Sequence, residues 1–182
     1  MAVRRILRVD QPDDLAILRQ HAAPVQRFDA PLAGLITDMV ETMHAANGVG
    51  LAAPQVGVAL RVAVIFIPAL TKELADGRVI ELEPEQHFAL VNPTIAHVGP
   101  HQVTDQEGCL SMPGWYADVP RANWVSVDYV DPQGHRRRIR RATGLLARAL
   151  QHEIDHLAGV LFTDHVRDLS TLVDRSAELK AR

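Results

Sequence analysis

His152 and His156 stand four residues apart, with Glu153 directly after the first, and no other part of this sequence is better suited to chemistry. On a helix, residues i and i+4 share a face, so both imidazoles can reach one divalent cation while Glu153 reaches a water beside it. That is the core of a metallohydrolase site. Such a site usually takes three protein ligands and keeps one position for solvent. The only cysteine, Cys109, lies in Glu107-Gly108-Cys109-Leu110-Ser111 and is closely followed by Pro113-Gly114, a composition that fits a strand end or turn. It is the candidate third ligand, although a lone cysteine is more often a small buried hydrophobe.

Three ordered segments resemble the signatures of peptide deformylases. They are Gly48-Val49-Gly50-Leu51-Ala52-Ala53-Pro54-Gln55, then Glu107 to Ser111, then His152-Glu153-Ile154-Asp155-His156-Leu157-Ala158-Gly159. Together they run from residue 48 to 159 of 182. The resemblance implies hydrolysis of the formyl group from the N-terminal formylmethionine of newly synthesised polypeptides. It implies one divalent metal ion on Cys109, His152 and His156, with Fe(II) as the native ion and Zn, Ni or Co as alternatives. Softness alone admits zinc or ferrous iron for a cysteine and two histidines.

By the same resemblance Glu153 is the general base and acid, and the Gln55 amide and Leu110 backbone N–H are the donors to the formyl oxygen. Val49, Gly50 and Gly108 are expected beside a peptide that adds to a sheet edge, Val49 bordering the methionine pocket. Glu107 is expected to pair with Arg121 and brace the loop that carries Cys109. Trp115 and Tyr116 are further cleft candidates, Tyr116 at a position that varies among relatives. Arg148, one turn before His152, stands where many relatives have an apolar residue. Two rivals are a zinc endopeptidase, which would need no Cys109 near His152, and a silent metal-binding or ribosome-associated relative, which would lack Glu153 or Gln55.

The elements that must position these residues are legible in the hydrophobic pattern. Residues 11 to 23 are weakly helical up to Pro24. Leu32, Leu35, Ile36, Met39, Val40 and Met43 mark an amphipathic helix with Asp29 as N-cap and Gly48 as its stop. Arg61 to Ile67 and Trp124 to Val130 fit strands, His87 to Val98 holds two apolar runs around Asn92-Pro93, and residues 70 to 86 suggest a surface excursion. Asp131 to Gly134 turns the chain into Arg136 to Arg141, an arginine-rich hairpin partner. That run fits a solvated edge strand protected against pairing, with RNA contact as the alternative. Thr143 is a candidate N-cap for a helix from Leu145 to Leu157, closed by Gly159 and apolar enough to be a core element. Asp168 to Leu179 is expected to be a last helix.

Strands first and a buried helix later give an α+β fold: antiparallel or mixed sheets around a central metal-binding helix, with an N-terminal and a C-terminal helix. Residues 1–182 fit one domain. Hydrophobic residues at 47% and charged residues at 23% suit a globular protein, and a net charge of -3 gives no drive toward nucleic acid. One cysteine cannot form an internal disulfide, which favours a reducing compartment. With no apolar stretch of a signal peptide and none approaching the ~20 residues of a membrane span, the cytoplasm is the default, an organellar mature form the alternative. The expected partners are N-formylmethionyl nascent peptides, with transient ribosome contact and no membrane.

Overall fold

The strongest helical pattern folds as α2, Ala30–Ala45, after a short α1, Pro12–Leu18. Residues 2–74, 76–166 and 168–179 are described here, from a computed structural model. Asp29 caps α2 as expected, its side chain accepting from the Leu32 N–H. Leu32, Leu35, Ile36, Met39 and Met43 are buried together. The stop differs from the expectation. Asn47, not Gly48, takes the left-handed position, at φ 53°, and the Asn47 and Gly48 N–H groups donate to the His44 and Met43 carbonyls at 3.0 and 2.9 Å. Asparagine tolerates that conformation through its short polar side chain, so Gly48 is left to border the cleft.

The main sheet has the order β1 (Gly50–Ala52), β2 (Val62–Ile67), β5 (Gln86–Val98), β8 (Trp124–Val130) and β9 (Arg136–Thr143), all neighbours antiparallel. Between β2 and β5 the expected excursion is a hairpin of β3 (Leu70–Glu73) and β4 (Val79–Glu83), exposed throughout. Successive side chains of a strand point to opposite faces. Val62, Val64 and Val91 therefore pack with α2, while Ile65, Leu90, Val125 and Val127 pack with α3, Gly144–Leu157. The two largest apolar clusters of the core thus lie on either side of this sheet.

The two apolar runs around Asn92-Pro93 belong to one strand, β5. Proline offers no N–H to the ladder, so pairing skips from Val91 with Val130 to Thr94 with Asp128. Asn92, at φ 52°, instead exchanges two hydrogen bonds with the Val25 backbone, at 2.8 and 2.9 Å. β9 is the edge strand that its arginines suggested: Arg137 pairs with Asp131, Arg138 with Asp128, and Arg141 lies over the Trp124 ring.

A second antiparallel sheet has the order β10 (Val173–Asp174), β7 (Met112–Ala122) and β6 (Gln102–Cys109). It is stitched to α3 by Gln151, whose amide accepts from the Ala122 N–H at 3.0 Å and donates to the Ala122 carbonyl at 3.1 Å. α3 ends as read from sequence, with Gly159 at φ 71°. Thr143 occupies the N-cap position without a side-chain capping bond, at an exposed start where water can serve the first amides. The expected helix from Asp168 to Leu179 is instead a short 3-10 turn, strand β10 and the four-residue α4, Ser176–Leu179. Backbone pairing of Val173 with Tyr116 and of Asp174 with Trp115 competes there with helical bonding. No helix among the described residues is long and apolar enough to cross a membrane.

Candidate active site and metal centre

α3 is buried on most of its circumference, including Gln151, His152, Glu153 and His156. Burying so many polar groups is costly unless each has a partner. Among the described residues, Cys109, His152 and His156 form the one group of ligand atoms that could hold a metal ion, all within 4.8 Å of one another. Cys109 Sγ lies 3.3 Å from His156 Nε2. Ligands of this kind bind an ion at about 2.0–2.3 Å, so one cation can engage all three with little movement. Their proximity removes the ground on which the endopeptidase reading stood.

The surroundings polarise the ligands. Burial pushes the Cys109 thiol up, but the neighbouring His156 and His152 outweigh it and hold Cys109 well below its ordinary value. Burial likewise opposes a charged His152, yet its bonds to Cys109 and Glu107 raise it well above the usual range. His152 Nδ1 meets Glu107 Oε2 at 3.0 Å, which leaves Nε2 free for the Cys109 side, where a metal could be held. Burial alone would raise Glu107, but hydrogen bonds from His152 and Arg121 hold it at about 2. The expected Glu107–Arg121 pair is present and bidentate, Nε to Oε1 at 2.8 Å and Nη2 to Oε2 at 3.0 Å.

Glu153 is 4% exposed, and its Oε2 has no hydrogen-bond partner. Burial pushes its carboxyl up to about 7, against the pull of His152 and His156. A carboxyl near neutrality can both take and give a proton. Gly50 lies directly against it, where a Cβ would collide with Glu153 Oε1. Gln55 is also buried: its Oε1 accepts from the Ala52 N–H at 2.8 Å, which aims Nε2 at Cys109 Sγ, 3.5 Å away, and Ser111 Oγ, 3.1 Å away. A cleft of about 630 Å³ opens above these groups, lined by Val49, Gly50, Gln55, Gly108, Leu110 and Glu153 among others. It runs between the free edges of β1 and β6, each the last strand of its sheet. All nine site residues drawn from the sequence thus meet at one place.

Several neighbours were not foreseen. Ser111 is fully buried beneath Gln55, and the N-terminal segment ties both loops together through Leu7 N–H to Gln55 O at 2.8 Å and Val9 N–H to Ser111 O at 2.9 Å. No spacing in the sequence announces those bonds. Asp155 accepts from Arg121 and faces His165 Nε2 at 2.8 Å. Arg148, which also lines the cleft, places its guanidinium on Glu107. Its place one turn before His152 on a buried helix was a signal that an anion must wait for it.

A buried helix carrying paired histidines and an ionisable carboxyl under an open cleft is the layout of a metal-dependent hydrolase. Similarity to known proteins narrows the class. Residues 3–171 match the family model described as polypeptide deformylase. The chain is 58% identical to a peptide deformylase of Roseiflexus sp. (strain RS-1), covering 98% of this chain and 97% of that protein, and 50% identical to one of Chloroflexus aggregans, covering 100% and 97%. Among solved structures, the peptide deformylase of Legionella pneumophila superposes with a TM-score of 0.76 at 40% identity, over 99% of this chain and 92% of that one. The enzyme from Synechococcus elongatus in complex with actinonin gives 0.74 at 40%, over 90% and 78%. The chain belongs to the polypeptide deformylase family, metal-dependent enzymes that remove the formyl group from N-terminal formylmethionine.

Proposed function

We propose that residues 1–182 act as one catalytic domain in which Cys109, His152 and His156 hold a divalent cation, Fe(II) in the cell, and Glu153 carries the proton. The observation behind this reading is that three ligand atoms lie within 4.8 Å of one another next to a buried glutamate whose Oε2 has no hydrogen-bond partner. A cation held there would acidify a bound water and polarise the formyl carbonyl. Glu153 takes the proton of the attacking water and delivers it to the amine nitrogen as the C–N bond breaks. The Gln55 amide, already aimed at Cys109, and the Leu110 backbone N–H donate to the formyl oxygen as charge develops on it.

The peptide lies extended between β1 and β6, adding to the sheet edge beside Val49, Gly50 and Gly108, with its methionine side chain bordered by Val49. Gly50 keeps the backbone close enough to Glu153 that a side chain there would push the carboxylate away. The donor set suits ferrous iron, with zinc, nickel or cobalt as substitutes. The substrates are nascent chains in the cytoplasm, met during transient contact with the ribosome.

The test is deformylation of a formyl-Met peptide by anaerobically purified protein, with metal content measured on the same sample. Wild type should turn over with about one Fe, Ni or Co per chain, and Glu153→Gln should keep the metal and lose turnover. Full activity in Glu153→Gln would remove the general base; stoichiometric metal without turnover, even after exchange to Fe(II), would overturn the reaction itself.

A further inference from the structure

Cys109 belongs to β6 and both histidines belong to α3, so the spacing of the ligand set depends on what holds a sheet to a helix. Two arginines cross that junction in opposite directions. Arg121, from β7, grips Glu107 of β6 with two bonds and sends Nη1 to Asp155 of α3 at 2.5 Å. Arg148, from α3, reaches back. Its Nη1 donates to Glu107 Oε1 at 2.7 Å and to the Val119 carbonyl of β7 at 2.9 Å, and its Nη2 donates to the Val103 carbonyl of β6 at 2.9 Å. The side chain is 12% exposed, one turn before His152.

We propose that Arg148 is a positioning residue for the metal site: it clamps the sheet that carries Cys109 to the helix that carries His152 and His156. The proposal rests on the reading that these three residues hold a divalent cation. Acting with Arg121, Arg148 also fixes Glu107 so that Oε2 is presented to His152 Nδ1. The chemistry requires a guanidinium. Its planar fork of N–H groups serves a carboxylate oxygen and two carbonyls on two strands at once, whereas a lysine amine reaching Glu107 would keep the charge and lose the fork. An apolar side chain would leave Glu107 to Arg121 and His152 and would remove the bonds that α3 sends to the Val103 and Val119 carbonyls. Such supports around metal ligands commonly matter by about 10 to 100-fold in affinity or activity. Arg148 also lines the cleft, so a part in the wall of the methionine pocket is the competing account.

Wild type, Arg148→Met, Arg148→Lys and the exposed-arginine control Arg138→Met are loaded with Co(II) under anaerobic conditions. Thiolate-to-cobalt absorption, the rate of cobalt release to a chelator, and kcat and KM for a formyl-Met peptide are then recorded. Arg148→Met should release cobalt about tenfold faster or more, with a shifted thiolate band and a lower kcat. Its KM should stay within about twofold, Arg148→Lys should fall between, and Arg138→Met should match wild type. Wild-type release and spectrum in Arg148→Met, with only KM raised, would assign Arg148 to the pocket wall and overturn the clamp. A lowered thermal midpoint with unchanged spectrum and release would overturn it as simple packing. If Arg148→Met does not fold, unchanged release in Arg148→Lys overturns the clamp by itself. Failure of wild type to take up cobalt would sink the metal site on Cys109, His152 and His156 and the clamp with it.

Discussion

Arginine works in two settings in this molecule, and the contrast separates charge from geometry. Arg121 and Arg148 meet Glu107 in the interior, where side-chain exposures are 5%, 12% and 4%. On β9, Arg138 makes a two-bond pair with Asp128 and Arg137 a single bond to Asp131, both arginines half exposed to water. In the interior, removing one partner strands a charge away from solvent, so the arrangement is strongly enforced. At the edge, water replaces the lost partner and salt screens what remains. One residue type therefore ties a sheet to a helix beside Cys109, His152 and His156 in one place and lies along a solvated sheet edge in the other.

Glu107→Ala should give the largest effect, because it removes the buried carboxylate that Arg121, Arg148 and His152 share. Urea unfolding of the metal-free protein should show a loss of about 3–5 kcal/mol. A loss below about 1 kcal/mol would mean that water reaches the interior cations, and the contrast would collapse.

Next in size is the acid response. Glu107 is held at about 2, below its ordinary 4.5, so the charged form is favoured by folding. Its contribution is fully present above about pH 4.5 and is lost as pH falls toward 2. Comparing urea midpoints of wild type and Glu107→Gln across that window should show the steeper acid loss in wild type; parallel curves would dissociate Glu107 from the interior network.

The smallest effect should belong to β9. Arg138→Met should leave the urea midpoint at physiological salt where it was, and Asp128→Asn likewise. A destabilisation comparable to that of Glu107→Ala would show the edge arginines to be as structural as those inside.

Much of the site was legible because its residues carry chemistry in ordered strings. His152, Glu153 and His156 needed only helical spacing, and Cys109 and Gln55 came with their motifs. What stayed hidden was long-range hydrogen bonding, which leaves no periodic trace: Arg148 on Glu107, Gln55 on Ser111, His165 on Asp155. In the fold, α2, α3 and the β8–β9 hairpin followed from pattern and turn residues. Asn47 displaced Gly48 at a helix end because two residue types can serve there, and the C-terminal helix gave way to strand pairing that only the tertiary structure offers.

The bonds from Leu7 to Gln55 and from Val9 to Ser111 also set an order of events. During synthesis the segment that buttresses the cleft is made before its acceptors and must wait for them, and the last of the three candidate ligands arrives only with His156. Closing such distant contacts costs loop entropy before any packing rewards it. The full set of candidate metal ligands therefore exists only once residue 156 has been made.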